Sequence, residues 1–562
     1  LVAHTAHPDK VTKRIVPVSI EKTEDGIYKV DFGLEISGWL RLNDVEGPAG
    51  HKIDIKYISN LYSGDNSYIF RGEGPENYSA RFNWFVFSSV EISNWPGELK
   101  PEHLTAEAVN TYIEESAQFE TSNQLFNDIN KIWKRSQLDN MHGGIASDCP
   151  HRERSAYTGD GQVACVTVMH NFDAKNFYHK WIQDMYEAQN PVTGYVPNGA
   201  PWQPGCGGGV AWGAAICIMP WEYYLHYGSI DMLADNYEGM KGYINYMQTW
   251  VDKGIMFSQV PGHDGQPLKW FNLGEWCTPG EQVPDEMVHT FYLWRCAEFT
   301  ANAAGLLGKS AEEEEYAELA EQTRLAFFYH FYDAENGTYG NNGGNIFALK
   351  MGVPRAQYNK VITALKAGLK ASDGHLDTGI FGTQFFFEVL SENGFHKEAY
   401  EAMNKRTEPS YGRWLELGST TTRERWDEGG SHNHPMFGGG LVWFYRMLAG
   451  MQADPEQPGY KHIIFRPQPI DELDYVSYSN ITPFGKAGIY WENIKTGFNM
   501  NVTVPVGSHA TVYVPAKNPE QILENGKKIS EVENVKFLGK RNEYAVFEVG
   551  SGEYKFEVVS NE

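Results

Sequence analysis

Long apolar runs are missing from this 562-residue chain. No stretch approaches the roughly 20 residues that a membrane-spanning helix needs, so membrane insertion is not expected. Positive charge is scarce: 47 Lys and Arg stand against 72 Asp and Glu, a formal net charge of −25. That balance argues against a nucleic-acid backbone or an anionic membrane as partner. Cysteine is limited to Cys149, Cys165, Cys206, Cys217, Cys277 and Cys296, with no CxxC pair and no zinc-type spacing. The cysteines therefore point to no metal site and fix no redox compartment. No leader-like segment is visible and the first residue is Leu1, so nothing about export is read from that end.

What is present bounds the answer further. The length predicts two to four domains, and 41% hydrophobic residues exclude wholesale disorder. Aromatic content is high, 14% with 16 Trp and 32 Tyr. Such aromatics suit either the C–H faces of sugar rings or large cores, and composition alone does not choose.

Three regions follow from periodicity. Residues 1–115 read as strands, with Ile27–Phe32 giving way to Gly33, alternation over Gly38–Leu42, and a Gly47–Gly50 turn before Ile53–Ile58. A β-sandwich is expected there. From 116 to 455 the period becomes helical. Ser122 is a candidate cap for a helix burying Leu125, Ile129, Ile132, Trp133 and Ser136. Others are expected over 161–189, 212–227, 231–251, 285–305, 310–331, 355–370, 379–392, 396–405 and 438–449, with glycine-rich joints such as Gly205–Gly209. Ten to twelve helices with irregular loops predict an α/α toroid. Strands return over 456–562, where Phe498, Met500, Val502 and Val504 alternate and Gly550–Gly552 marks a hairpin. That region is read as a second, structural β-sandwich.

The densest chemistry lies in Asp148-Cys149-Pro150-His151-Arg152-Glu153-Arg154-Ser155-Ala156-Tyr157-Thr158-Gly159-Asp160. Pro150 and Gly159 disfavour a plain helix and little in the segment suits a core, so it is expected to face a cleft. Crowded carboxylates repel, so one stays protonated while another ionises, as acid-assisted cleavage of an acetal requires. The bland alternative is an ion-pair cluster of Arg152 and Arg154 with Asp148, Glu153 and Asp160.

That motif, together with Gly274-Glu275-Trp276, His375–Thr383, Pro409–Glu416 and Thr421–Asp427 running on to Asn433-His434, resembles the bacterial α-L-rhamnosidases of glycoside hydrolase family 78. Val30–Gly33 with Gly38-Trp39 resembles the β-sandwich that precedes the family's catalytic barrel. The resemblance implies a central (α/α)6 barrel flanked by N-terminal and C-terminal β-sandwich domains. It implies inverting hydrolysis of terminal α-L-rhamnose, one carboxylic acid protonating the leaving oxygen while a carboxylate activates water. Glu153 matches the general acid, its pKa expected to be raised by Asp148 and Asp160, and Glu424 matches the general base. Asp148, Arg152 and Asp160 match positions that hold sugar hydroxyls. Tyr157, Trp212 and Trp276 match aromatic walls, although Trp212 is equally a core candidate, and His434 matches a histidine facing the sugar. His432 and His434 form an H-x-H pair without a third ligand, so no metal is expected, and the chemistry implies no cofactor.

The chain departs from the family around the sugar. His151 stands where Gln is usual, Ala156-Tyr157 where Gly-Trp is usual, Glu275 for Asp, and Arg423 for Trp. The implied partner is a rhamnose-containing glycan or glycoside, and the substrate class alone points to the periplasm or cell exterior. Another toroid glycosidase acting on a related sugar is an alternative within hydrolysis; a polysaccharide lyase on a similar toroid and a non-catalytic glycan-binding protein are the other competing readings. Glu153 and Glu424 in matching motifs favour hydrolysis over the last two.

Overall fold

The computed structural model describes residues 3–201, 209–257, 273–495 and 497–559; Gly205–Gly208 and Cys206 of the sequence analysis lie outside them. The N-terminal region forms one eight-stranded sheet. Its path runs Asp9–Ile15, Leu104–Thr111, Tyr28–Val45, Phe85–Ser93, Lys52–Ile58 and Asp65–Ile69, with Ser19–Lys22 and Glu76–Ser79 also on Tyr28–Val45. The chain passes Gly33 without leaving the strand. The register shifts between Asp31 and Ile36, Gly33 takes φ +75°, and the strand continues for 18 residues. Gly38 is required by close approach, since a Cβ there would lie 1.9 Å from the Glu107 carbonyl oxygen. Val30, Phe32, Ile36, Leu40, Phe85, Phe87 and Val90 bury a core separate from the rest of the molecule.

Thirteen helices follow among the described residues. They are α1 (Gln124–Asp139), α2 (Thr158–Met169), α3 (Lys175–Ala188), α4 (Val210–Gly213), α5 (Ala215–Tyr227), α6 (Ile230–Gln248) and α7 (Asp285–Leu306). The series ends with α8 (Ser310–Phe331), α9 (Asn342–Lys350), α10 (Arg355–Ala371), α11 (Ile380–Glu392), α12 (His396–Met403) and α13 (Tyr411–Glu416). Packing runs from α2 to α5, α5 to α7, α7 to α9, α9 to α11 and from α11 back to α2. The inner helices α2, α5, α7 and α11 are apolar on most faces, as helices surrounded by others must be.

Several sequence expectations are corrected. Asn123 caps α1, its side chain accepting from the Leu125 N–H at 3.0 Å. Ser122 Oγ instead accepts from the Asp474 N–H at 2.8 Å. The helix expected over 161–189 splits because Phe172 bridges to Glu115 and the Asp173 N–H donates to the Glu114 carbonyl. The helix expected over 438–449 is a 3-10 turn, Met436–Leu441, then a π-helical turn, Phe444–Ala449. A Cβ on Gly438 would sit 1.9 Å from Trp133 Nε1, so the glycine run serves close approach.

The C-terminal region holds two sheets, of five and seven strands. The seven-stranded one takes its edge strand, Ala117–Thr121, from the segment before α1, paired antiparallel with Tyr475–Thr482. Trp491, fully buried, donates from Nε1 to the Leu448 carbonyl at 2.9 Å, and both sheets share one core with the helices. Trp133, Trp181, Trp414 and Trp443 are fully buried as well, so much of the aromatic excess is core. Among the described residues no helix is long and apolar enough to cross a membrane.

Candidate active site

The segment 148–160 runs into a helix and is largely buried, with Arg152 and Glu153 exposed. Asp148, Cys149, His151, Ser155, Ala156, Thr158 and Asp160 are buried, and Thr158–Asp160 open α2. Gly159 is placed there by packing: a Cβ would lie 2.6 Å from the Trp212 indole. Arg154 adopts φ +49°, and the Asp148 N–H donates back to the Ser155 carbonyl at 3.1 Å. The tight loop sends the two arginines in different directions. Arg154 stacks on the Trp84 ring at 3.8 Å and donates to the Trp84 carbonyl at 3.0 Å, both in the N-terminal sheet region. Arg152 turns inward, Nε donating to Glu153 Oε2 and Nη2 to Glu424 Oε2, each at 3.0 Å.

A cavity of about 270 Å³ is lined by Asp148, Arg152, Glu153, Tyr157, Asp160, Trp212, Leu273, Trp276, Glu424 and His434. All nine residues singled out from the sequence thus line one cavity, from the loop before α2 and its first turn, from α4, and from the loops before α7 and after α13. Leu273 carries no chemical signature and was missed. Trp212 is both wall and core: it is 3% exposed and packs edge-on to Phe381 at 5.1 Å. His434 Nε2 lies 2.8 Å from Asp160 Oδ1, whereas His432 contacts the Glu428 carbonyl, so the two histidines serve different surroundings.

The loop bearing Glu424 and His434 folds back on itself. The Glu424 N–H donates to the Ser431 carbonyl at 2.9 Å, and the His434 N–H to the Thr422 carbonyl at 2.9 Å. Gly430, at φ +70°, presses against the carboxyl, since a Cβ there would meet Glu424 Oε2 at 2.7 Å.

Electrostatics separate the carboxyls, though not as expected. Burial, reinforced by Asp160 and Glu153 and opposed by His434, pushes Asp148 up to about 8. Glu153, the expected high-pKa group, is held below the ordinary range. Burial acts upward on it, but the Cys149 thiol at 3.2 Å and the Arg152 guanidinium outweigh that. Crowding therefore loads the proton onto the deeper carboxyl, because Asp148 has no arginine beside it. Glu424 is also held low, burial being outweighed by His434, the Ser431 N–H and Arg152. His434 is pushed up: burial opposes, but Asp160, Glu424 and Asp148 together dominate.

One group among the described residues has cation-binding spacing, Asp148, Cys149 and Glu153, with ligand atoms within 4.8 Å of one another. Asp148 and the buried Cys149 thiol are both pushed up and would have to release protons to ligate an ion. The motif residue Glu275 lies outside the cavity lining. Its carboxyl accepts the Gly382 N–H at 2.7 Å at the start of α11, and burial lifts it to about 8 against those backbone donors.

This arrangement, a positively charged guanidinium between two glutamates under aromatic walls, is accompanied by family matches along the chain. Residues 21–110 match the bacterial α-L-rhamnosidase concanavalin-like domain, 114–448 the six-hairpin glycosidase domain and 450–529 the C-terminal domain. The chain belongs to the bacterial α-L-rhamnosidase family. An α-L-rhamnosidase of Streptomyces avermitilis is 28% identical over 586 residues, covering 99% of this chain and 54% of that protein. Another, from Formosa agariphila, is 27% identical over 591 residues, covering 96% and 60%. Among solved structures, the α-L-rhamnosidase of Dictyoglumus thermophilum superposes with a TM-score of 0.91 at 31% identity, covering 99% of this chain and 64% of that one. The S. avermitilis enzyme complexed with L-rhamnose gives 0.91 at 27%, covering 99% and 54%. The chain thus spans between 54% and 64% of the length of these family members.

Proposed function

We propose that this rhamnosidase-family chain hydrolyses terminal α-L-rhamnosides of a glycan or glycoside with inversion, its helical region acting as an (α/α)6 barrel. The observation that carries the reading is Arg152 between Glu153 and Glu424 in one cavity. The rhamnose bound by the S. avermitilis relative supports the sugar. The ring of contacts through α2, α5, α7, α9 and α11 supports the barrel.

In this mechanism Glu424, ionised and held by Arg152 and the Ser431 N–H, takes the proton of the attacking water. Glu153 delivers a proton to the leaving oxygen. Its neighbour Asp148 carries that proton near neutral pH in the sugar-free cavity, and a bound sugar adds to the desolvation that already acts upward on Glu153. Asp160 and His434, with Asp148, grip ring hydroxyls, and Tyr157, Trp212 and Trp276 wall the ring. A second reading follows from the same electrostatics: Asp148, at about 8, is itself the donor.

Proton NMR of an aryl α-L-rhamnoside during turnover tests the reaction. β-L-Rhamnose must appear first; initial α-product would recast one glutamate as a nucleophile. Leaving groups then separate the donors. Loss of a general acid costs about 10²–10⁴-fold, but the loss shrinks for an aryl leaving group that needs no proton. That pattern should follow Glu153→Gln. If Asp148→Asn shows it instead, the second reading holds.

A further inference from the structure

The N-terminal sheet sends two neighbouring residues, Ser59 and Asn60, onto the loop that holds Glu424. Ser59 Oγ donates to Glu35 Oε2 at 2.5 Å and lies 2.7 Å from His151 Nε2. The other ring nitrogen, His151 Nδ1, lies 3.1 Å from Ser431 Oγ, and the Ser431 N–H donates to Glu424 Oε2 at 2.8 Å. Asn60 grips the residues on either side of Ser431. Its Nδ2 donates to the Gly430 carbonyl at 3.0 Å and its Oδ1 accepts the His432 N–H at 3.1 Å. The Glu35 N–H adds a bond to Thr420 Oγ1 at 2.9 Å. The His151 side chain is fully buried, and Glu35 Oε1 lies 3.6 Å from its Nε2.

We propose that Glu35, Ser59 and Asn60 are positioning residues for Glu424, acting through His151 and Ser431, so that the N-terminal domain sets the geometry of the proposed base. The inference rests on Glu424 having that role. Hydrogen-bond directions fix how the chain works. Glu35, when ionised, only accepts, so the single Ser59 proton goes to it, and His151 Nε2 must carry its own proton to reach Ser59. Nδ1 is then free to accept the Ser431 hydroxyl. Ser431 Oγ also lies 3.2 Å from the Asn433 carbonyl, so its proton is divided between that oxygen and His151 Nδ1, while the Ser431 N–H and Asn60 Nδ2 donate to Glu424 and to the Gly430 carbonyl. Together these bonds tie the Glu424 loop to the N-terminal sheet. His151 stands where the family usually has Gln, a side chain that can also donate at one end and accept at the other.

The test measures kcat and KM on 4-nitrophenyl α-L-rhamnoside across pH for Ser59→Ala, Asn60→Ala, His151→Ala and His151→Gln. Amide hydrogen exchange over 424–434 and thermal unfolding are followed in parallel. A misplaced base lowers kcat roughly 10- to 100-fold with KM within about twofold, and exchange at Glu424 and Ser431 quickens. Losing the Ser431 N–H lets the Glu424 pKa rise, so the acid limb of kcat moves to higher pH. The other charged or titratable groups facing Glu424 are Arg152, His434, Cys277 and Arg425, and none is altered in these variants. His151→Gln should restore kcat, the pH limb and the protection. Unchanged kcat, or a kcat loss matched by lost folded protein with 424–434 protection intact, overturns the proposal. If the unmodified chain cleaves no rhamnoside, faster exchange in His151→Ala still upholds the brace while the proposed reaction falls.

Discussion

The two β regions of this chain differ in how they join the helices. The C-terminal sheets merge with them: Trp491, Met500, Val502 and Phe556 belong to the same continuous core as Trp133 and Trp443. Among the described residues, none after 434 lines the candidate cavity. The N-terminal sheet keeps a core to itself and touches the helical region through polar groups near the cavity, including Glu35, Ser37, Ser59, Asn60 and Trp84. Apolar contact is non-directional and stabilises whatever it covers, whereas hydrogen bonds fix positions. One β region is therefore built to hold the helices together, the other to align what lies at their mouth.

The largest effects should come from attacking the two cores. Trp491→Ala should cost about 3–5 kcal/mol and lower the single transition shared by helices and C-terminal sheets, with kcat/KM per folded molecule unchanged. Phe87→Ala removes a comparable amount from the separate N-terminal core. Calorimetry should then resolve two transitions, and activity should vanish at the lower one, where the brace melts. A single joint transition in both variants would break the comparison.

A smaller effect is read in pH. Asp148 is lifted to about 8 from an ordinary value of 3.8, so the folded state binds its proton more tightly than the unfolded chain. The associated stability is complete below about 4 and drains away as pH rises through 8. Asp148→Asn should therefore match the unmodified protein in acid and exceed it in thermal stability above pH 8. In activity, loss of the Asp148 proton should give a basic limb near 8; a limb that survives Asp148→Asn would assign that proton elsewhere. Least affected should be Asn123→Ala, which removes the α1 cap where the chain leaves the C-terminal sheet. About 1 kcal/mol, read by denaturant unfolding with no change in rate, is expected.

Several parts of this architecture were legible in the residues. Period-2 alternation gave strands such as Phe498–Val504, and period-3.6 patterns gave α1, α8, α10 and α11 nearly to their ends. Three of the four ordered motifs placed eight of the nine side chains that line one cavity, and Trp212 came from the family resemblance outside those motifs. Misreadings arose where glycine answers to tertiary contact. Gly159 opens α2 beneath Trp212, and Gly438 lets the backbone reach Trp133. Neither partner is near in sequence.

By itself the sequence determined the three-region order, because hydrophobic period is a local property, and its resemblance to the family named the chemical groups of the candidate site. Tertiary structure decided which carboxyl holds the proton: Arg152 turned toward Glu153 and Glu424 while Asp148 was left buried beside its acidic neighbours. It also decided that Ser59 and Asn60, more than 350 residues from Glu424 in sequence, brace its loop. Burial and charge separation depend on distances across the fold, and no pattern along the chain encodes them.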